Sequence, residues 1–234
     1  MDFEAEVQRI YESILRPGMG AVDVGAHVGR HGLEMLRCVA PSGRVVMFEP
    51  IPALFQALAS EMRQSADWQQ LAEVHPFALS DAVGETEFCI AVDAPGFSGI
   101  RERRYDVPTR VDKIRVEMRR LDDVIRHWVR VDYIKIDTEG AEWNVIKGAS
   151  DTIDLHRPII TFEFGANSFS AFNVDPVDVF DFFDARSYDI LDILGRRLER
   201  VAFNASAFRQ EVWDYIAVPK EKKLLLPAFA ESES

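Results

Sequence analysis

The sequence predicts an α/β fold in which helices cover both faces of a mostly parallel β-sheet. Short apolar segments alternate with segments of helical periodicity over the first 80 residues, which is typical of parallel strands joined by right-handed crossovers. Glycine or acidic residues directly follow several of these apolar segments. The chain has 234 residues, of which 47% are hydrophobic, and this is enough to fill the core of one sizeable domain.

The predicted elements of the first part of the chain follow in a regular order. Phe3, Val7 and Ile10 recur at helical spacing, and the turn residues 16–20 end that helix. Pro52 suits the first turn of another helix, because a helix start leaves its N–H groups unpaired and proline has none. The predicted elements are a helix over 3–15, a strand over 21–24, a helix over 28–39, a strand over 43–50, a helix over about 52–63 and a strand over 71–79.

The alternation is interrupted at residues 83–120, which we interpret as an insertion of two strands, 84–92 and 113–121, around a loop. Between Gly96 and Arg120 the insertion carries eight basic and four acidic residues. Two interpretations are open. The segment is either a lid that contacts an anionic acceptor or a solvated loop that balances the acidic body of the chain.

The sheet pattern resumes after the insertion. The predicted elements are a strand over 131–137, a helix over 141–150, a strand over 158–164, a helix over 176–186 and two late strands over 188–194 and 213–219. We expect the two late strands to pair as a hairpin at the edge of the sheet. The expected organisation is one domain over 1–219, with an N-terminal helical segment over 1–19, and a flexible tail over 220–234.

Charge and cysteine content exclude some functions. The formal net charge is -12, because 39 acidic residues outnumber 27 basic ones, so we expect no nucleic-acid partner. Cys38 and Cys89 form no metal-binding or redox motif. The N-terminus lacks the features of a signal peptide, and no apolar run is long enough to span a membrane. We therefore expect a cytoplasmic protein.

The stretch AVDVGAHVGRHG places a glycine turn after the first predicted strand. Gly25 and Gly29 are four residues apart, a spacing that differs from the G-x-G-x-x-G fingerprint of dinucleotide sites. Ala26 and His27 fill the space between them. A ligand can still approach the backbone amides, and Asp23 favours a positively charged ligand group over a phosphate. The alternative is a tight turn that binds no ligand.

Acidic residues end two further strands. Glu49, followed by Pro50, ends the second strand, where a carboxylate can accept both hydroxyls of a ribose without identifying the cofactor. Alternation along the strand DYIKID places Lys135 and Asp137 on one side, with Glu139 beside them if the strand continues. These acids could orient a sulfonium, bind a metal ion or accept a proton from a substrate hydroxyl. The alternatives are a solvated strand-end acid and a structural ion pair followed by a helix N-terminal acid.

Six segments together resemble the FkbM family of S-adenosylmethionine-dependent methyltransferases, over about residues 20–165. The segments are VDVGAHVGRHG, VVMFEP, HPFALSDAVGETEF, RRLDDVI, DYIKIDTEGAEWNVIKGA and PIITFEF. The resemblance implies the class I methyltransferase (Rossmann-like) fold, which has a seven-stranded, mostly parallel sheet with an antiparallel last strand. It also implies O-methylation of a hydroxyl on a sugar, glycoside or natural product.

By position, the resemblance implies contacts with each part of the cofactor S-adenosyl-L-methionine. The methionine side is lined by Asp23, Gly25, Ala26, His27 and Gly29, and the ribose side by Glu49 with Pro50. The adenine is flanked by Ala78, Leu79, Ser80 and Asp81, and Asp137 lies near the sulfonium. Asparagine also occurs in the family at the position of His27, so a helix-start residue without a chemical role is an equal alternative there.

Methyl transfer to a hydroxyl needs a positioned acceptor and a general base. Asp137, Glu139 and Glu163 are the predicted catalytic residues, and His31 and His75 are weaker candidates. The same three acids could instead supply oxygen ligands to a divalent metal ion, although no spacing requires one and no metal ligand is assigned. The expected partner is a small hydroxylated acceptor, with an anionic sugar as one option. The oligomeric state is left open, a homodimer included.

Two other functions share parts of this pattern. An NAD(P)-dependent Rossmann oxidoreductase would have the same fold, a glycine turn and an acid at the position of Glu49, but its glycine spacing would differ. A non-catalytic methyltransferase-like binding protein would keep the fold without the chemistry. C-methyl and N-methyl acceptors also stay open, because cofactor motifs do not encode the acceptor.

Overall fold

The structure is a computed structural model, and it describes residues 2–102 and 108–225. The strands are β1 (Gly20–Val24), β2 (Arg44–Phe48), β3 (Ala72–His75), β4 (Ala78–Leu79), β5 (Gly84–Ala91), β6 (Val111–Arg119), β7 (Tyr133–Ile136), β8 (Ile159–Glu163), β9 (Tyr188–Asp192), β10 (Arg197–Leu198) and β11 (Asp214–Pro219). The helices are α1 (Phe3–Ile14), α2 (Arg30–Val39), α3 (Pro52–Met62), α4 (Ala66–Leu71), α5 (Leu121–Val124), α6 (Glu142–Lys147), α7 (Ser150–His156), α8 (Ala166–Phe169), α9 (Pro176–Asp184) and α10 (Arg200–Arg209).

The larger sheet has the strand order β10-β9-β11-β8-β7-β1-β2-β3. Strands β3, β2, β1, β7 and β8 are parallel to one another, and β11 is antiparallel to both β8 and β9. This confirms the predicted α/β fold with a seven-stranded, mostly parallel sheet and an antiparallel last strand. The two-residue β10 adds a short eighth strand at one edge.

The predicted hairpin of the two late strands is wrong in one respect. Strands β9 and β11 do pair, but β11 lies inside the sheet, between β8 and β9, and β10 and α10 separate the two strands in the chain. The five residues from Tyr215 to Pro219 are all buried, which suits an interior strand and not an edge strand.

The predicted strand over 71–79 is divided between two sheets. Residues 72–75 form β3 in the larger sheet, whereas 78–79 form β4, which pairs with β6 in a second sheet of order β4-β6-β5. Pro76 separates the two pieces, and proline cannot donate a hydrogen bond to a neighbouring strand. The predicted insertion of two strands is confirmed, because β5 and β6 pair antiparallel.

Aromatic side chains pack the C-terminal half of the core. Phe162 of β8 lies against Tyr215 of β11, with ring centroids 5.8 Å apart, and Phe203 of α10 contacts Tyr215 at 5.0 Å. All three are nearly inaccessible to solvent. This packing holds the C-terminal ends of the parallel strands in a rigid frame. None of the helices in the described ranges combines the length and the apolar character that crossing a membrane requires.

Candidate active site

A cavity of about 700 Å³ opens at the C-terminal ends of β1, β2, β7 and β8, where open α/β sheets bind their ligands. Its volume is in the range of small-molecule sites. The walls come from the turns after β1 and β2, the loop after β7, the end of β8, the N-terminal turn of α1 and residues 95–98 of the insertion.

The glycine turn touches the loop after β7. Gly25 has φ +81°, and a Cβ placed on it would lie 1.8 Å from the carbonyl oxygen of Asp137, so this position accepts only glycine. Gly25, Ala26 and His27 lie on the cavity wall. Gly29 does not, because it starts α2 with φ +83° and packs against Leu58. The two predicted glycines therefore serve different purposes, one at the cavity and one behind it.

Glu49 is buried in the cavity wall and ties two turns together. Its Oε2 accepts the N–H of His27 and its Oε1 accepts the N–H of Ile51, both at 2.8 Å. Burial raises the pKa of this carboxyl to about 7. Each carboxylate oxygen has a second lone pair, so the side chain is oriented by the backbone and can still accept ligand hydroxyls. Pro50 lies beside it on the wall.

His27 has an unsatisfied polar atom at the cavity. The residue adopts the left-handed region with φ +49°, which is uncommon for a side chain other than glycine. Its Nε2 is buried and has no hydrogen-bond partner within the described ranges. A buried polar atom of this kind normally has a partner, so a ligand group is well suited to supply one.

Asp23 faces a protein cation and not the cavity. It is 1% exposed and is not among the residues of the cavity wall. Its register partner on β7 is Lys135, whose Nζ lies 3.9 Å from Asp23 Oδ1 and donates to Asp137 Oδ2 at 3.1 Å. Asp23 therefore contacts Lys135, which does line the cavity, and the role of Asp23 beside the cofactor stays a prediction. Burial would lower the pKa of Lys135, but the two aspartates raise it, so the ammonium stays protonated.

Of the four residues predicted beside the adenine, two line the cavity and two do not. Ala78 and Leu79 of β4 lie on the cavity wall, whereas Ser80 and Asp81 do not. Asp81 forms an ion pair with Lys147 and accepts a hydrogen bond from the hydroxyl of Ser80. The predicted place of all four beside the adenine stays a prediction, and the cavity wall supports it for Ala78 and Leu79.

The three predicted catalytic acids come together. One carboxylate oxygen each from Asp137, Glu139 and Glu163 lies within 4.8 Å of the other two. Burial, followed by repulsion from Asp137 and Glu139, raises the pKa of Glu163 well above its ordinary value. Asp214, which sequence reasoning missed, is the register partner of Glu163 and also lines the cavity. Burial and then Asp137 raise its pKa to about 7.

This cluster can act in two ways. A carboxylate with a raised pKa is a stronger base and accepts a proton from a hydroxyl more readily. Three carboxylate oxygens at this separation could also hold a divalent cation. The two weaker candidates lie apart from the cluster. His31 lies on the cavity wall and contacts Glu4 and Tyr11, whereas His75 is not on the wall and contacts the rings of Phe48 and Phe77.

The insertion covers part of the cavity, and none of its basic residues within 83–102 and 108–120 lies on the wall. Pro95, Gly96, Phe97, Ser98 and Ile100 line the wall, which suits the predicted lid. The ion pairs of the described basic residues include Lys113 with Glu87, Arg115 with Glu85 and Arg119 with Glu117, as expected for a segment that balances its own acids. Arg103 and Arg104 lie outside the described residues.

An aromatic pair forms a wall that the sequence patterns did not reveal. Phe3 of α1 and Trp213 both line the cavity, with ring centroids 4.6 Å apart in an edge-to-face arrangement. Trp213 is 40% exposed. These residues are 210 positions apart in the chain, so only the tertiary structure brings them together.

Comparisons with known proteins bear on this site. The family model described as methyltransferase FkbM domain matches residues 23–190. The chain is 31% identical over 172 residues to the AMB antimetabolite synthetase AmbE of Pseudomonas aeruginosa PAO1, covering 59% of this chain and 8% of that protein. It is 27% identical over 157 residues to the methyltransferase sdnD of Sordaria araneosa, covering 56% of this chain and 60% of that protein.

A solved structure shows the same fold. The crystal structure of a methyltransferase FkbM from Methylobacillus flagellatus KT superposes with a TM-score of 0.54 at 18% sequence identity. The superposition covers 88% of this chain and 49% of that chain. The chain therefore spans less than two thirds of the length of each of these three relatives.

Proposed function

The chain belongs to the methyltransferase FkbM domain family, and with S-adenosyl-L-methionine as its cofactor we propose that it methylates a hydroxyl of a sugar, glycoside or natural-product acceptor. The observation that carries the proposal is the convergence of three carboxylates, Asp137, Glu139 and Glu163, on the cavity beside the glycine turn. The product would be S-adenosyl-L-homocysteine.

The residues present fit this cofactor. The Gly25 turn leaves backbone accessible at the cavity, Glu49 offers an oriented carboxylate to the ribose hydroxyls, and His27 Nε2 lacks a partner among the described residues. Ala78 and Leu79 give an apolar wall for the adenine. When bound, the cofactor supplies an electrophilic methyl group.

Glu163 is the best candidate for the general base. Asp137 is held by Lys135 at 3.1 Å, whereas the pKa of Glu163 is raised by burial and by its acidic neighbours. A stronger base takes the hydroxyl proton more readily as the new bond forms. Asp137 and Glu139 then orient the acceptor hydroxyl, and proximity supplies much of the rate.

The walls favour an uncharged acceptor over an anionic one. The acidic residues of the wall outnumber the basic residues, which are Arg30 and Lys135. The acidic ones are Asp2, Glu4, Glu49, Asp137, Glu139, Glu163 and Asp214. An acceptor with an apolar face suits Phe3 and Trp213. The Pseudomonas aeruginosa relative is named as an antimetabolite synthetase, which supports a natural-product acceptor.

Calorimetric titration tests this function against its rivals. We expect the purified chain to bind S-adenosyl-L-homocysteine and not NAD⁺, and then to methylate at least one member of a panel of hydroxylated sugars and glycosides. Binding of NAD⁺ alone would indicate an oxidoreductase. Binding of neither ligand would indicate a non-catalytic protein.

A further inference from the structure

We propose that Glu142 is a positioning residue, which holds the loop between β7 and α6 so that Asp137 and Glu139 meet Glu163. The proposal rests on the function given above. Glu142 is the first residue of α6, is 0% exposed and does not lie on the cavity wall. Any effect on the reaction therefore passes through the loop.

One carboxylate oxygen of Glu142 accepts three hydrogen bonds from that loop. Its Oε1 accepts the N–H of Thr138 at 2.9 Å, the hydroxyl of Thr138 at 3.0 Å and the N–H of Gly140 at 3.0 Å. These donors lie on either side of Glu139. Three hydrogen bonds to this one oxygen clamp the backbone around Glu139.

The clamped backbone is one that the loop would not adopt by itself. Glu139 has φ +56° and Gly140 has φ +113°. The left-handed region is unfavourable for a glutamate and persists only where surrounding contacts impose it. Gly140 is also confined, because a Cβ there would lie 2.5 Å from the carbonyl oxygen of Ser168. Without the Glu142 carboxylate, the loop can relax and carry Glu139 away from the cluster.

Asp122 provides a control for Glu142, because its carboxylate caps the start of a helix away from the cavity. Asp122 Oδ1 accepts the N–H and the hydroxyl of Thr152 at 2.8 and 2.7 Å, and its Oδ2 accepts the N–H of Asp151 at 3.2 Å. Asp122 is 8% exposed and is not on the cavity wall. Asp122 also pairs with Arg120 at 3.0 Å, and it resembles Glu142 in that it accepts the N–H and the hydroxyl of one threonine and a further backbone N–H.

The test compares E142A, E142Q, E142D and D122A. We expect E142A and D122A both to lower the melting temperature, but only E142A to lower kcat, by at least 100-fold, with the Kd for S-adenosyl-L-homocysteine changed less than threefold. E142Q keeps an oxygen that accepts the same three bonds and should retain kcat within fivefold. E142D, one methylene shorter, should lose at least tenfold, which keeps the test available if E142A does not fold.

Hydrogen exchange gives a readout that does not depend on activity. The amides of Thr138 and Gly140 should exchange slowly in the wild type, in E142Q and in D122A, and at least 100-fold faster in E142A. Equal exchange in all variants, or equal kcat losses in E142A and D122A, would overturn the positioning role. If the wild type fails to bind S-adenosyl-L-homocysteine while exchange responds as expected, the proposed function fails and the positioning of the loop stands.

Discussion

Replacing Gly25 by alanine tests whether the glycine turn must touch the loop after β7. The new Cβ would lie 1.8 Å from the carbonyl oxygen of Asp137, and real Cβ contacts are not shorter than 3.0 Å. The two backbone segments would therefore have to separate by about 1.2 Å. A shift of this size moves Asp137 relative to Glu163 and moves the turn relative to the cavity.

The expected loss of stability in G25A has two contributions. Holding alanine at φ +81° costs about 1–2 kcal/mol, and forcing extra volume into a packed contact costs about 1–3 kcal/mol. The expected loss of stability is about 2–5 kcal/mol, which corresponds to a melting temperature lower by about 4–20 °C in a chain of this size. A displacement near 1 Å also lowers kcat/KM by about 100-fold.

The assay is thermal unfolding with and without S-adenosyl-L-homocysteine, followed by steady-state kinetics. Gly96→Ala is the control, because Gly96 also lines the cavity but has no heavy atom within 4 Å of its added Cβ. We expect that change to stay within about 0.5 kcal/mol of the wild type. The reasoning is refuted if G25A matches G96A in melting temperature, cofactor affinity and kcat/KM.

Five further outcomes are expected. E163Q should lower kcat by about 100-fold or more at unchanged affinity for S-adenosyl-L-homocysteine. Because Glu163 must be deprotonated to act and its pKa is raised, wild-type kcat should rise with pH through that pKa, and a pH–rate profile of E163Q should lack this rise. E49Q should weaken calorimetric binding of S-adenosyl-L-homocysteine about tenfold or more, since it removes charge from hydrogen bonds to the ribose; unchanged affinity would contradict the ribose role. W213A should raise the acceptor KM and leave cofactor affinity unchanged, and an unchanged KM would remove Trp213 from the acceptor wall. Treatment with a chelator should leave kcat unchanged; a loss restored by Mg²⁺ would instead assign the carboxylate cluster to a metal ion.

Local sequence patterns predicted the part of the site that parallel strands create. The turn at Gly25, the acid at Glu49 and the acids after β7 each follow an apolar strand, and the C-terminal ends of parallel strands meet at one edge. Their convergence therefore follows from the order of the parallel strands alone. Glu163 meets the acids after β7 for the same reason, because β8 is the next parallel strand.

The other features of the candidate site depend on contacts between segments that are distant in the chain, and local patterns did not predict them. Asp214 enters the site because β11 inserts between β8 and β9, and no local pattern distinguishes an interior strand from an edge strand of equal hydrophobicity. Asp23 was assigned to a positive ligand group because its partner, Lys135, lies on a neighbouring strand. Trp213 reaches Phe3 only in the folded protein. Glu142 was missed because a buried acid in the first helical turn resembles an ordinary capping residue.

The excess of carboxylates at the cavity is unfavourable for folding and favourable for a cationic ligand. The pKa values of Glu49 and Asp214 are about 7, above their ordinary values of 4.5 and 3.8. These two carboxyls therefore bind more protons in the folded protein than in the unfolded chain between about pH 4 and pH 7, and their contribution to stability falls as the pH rises through that window. A positively charged group nearby favours the ionised carboxylates and lowers their pKa values. Within the protein, Lys135 forms ion pairs with Asp23 and Asp137. A bound sulfonium would supply a positive charge to the cavity, and binding would then offset this loss of stability at neutral pH.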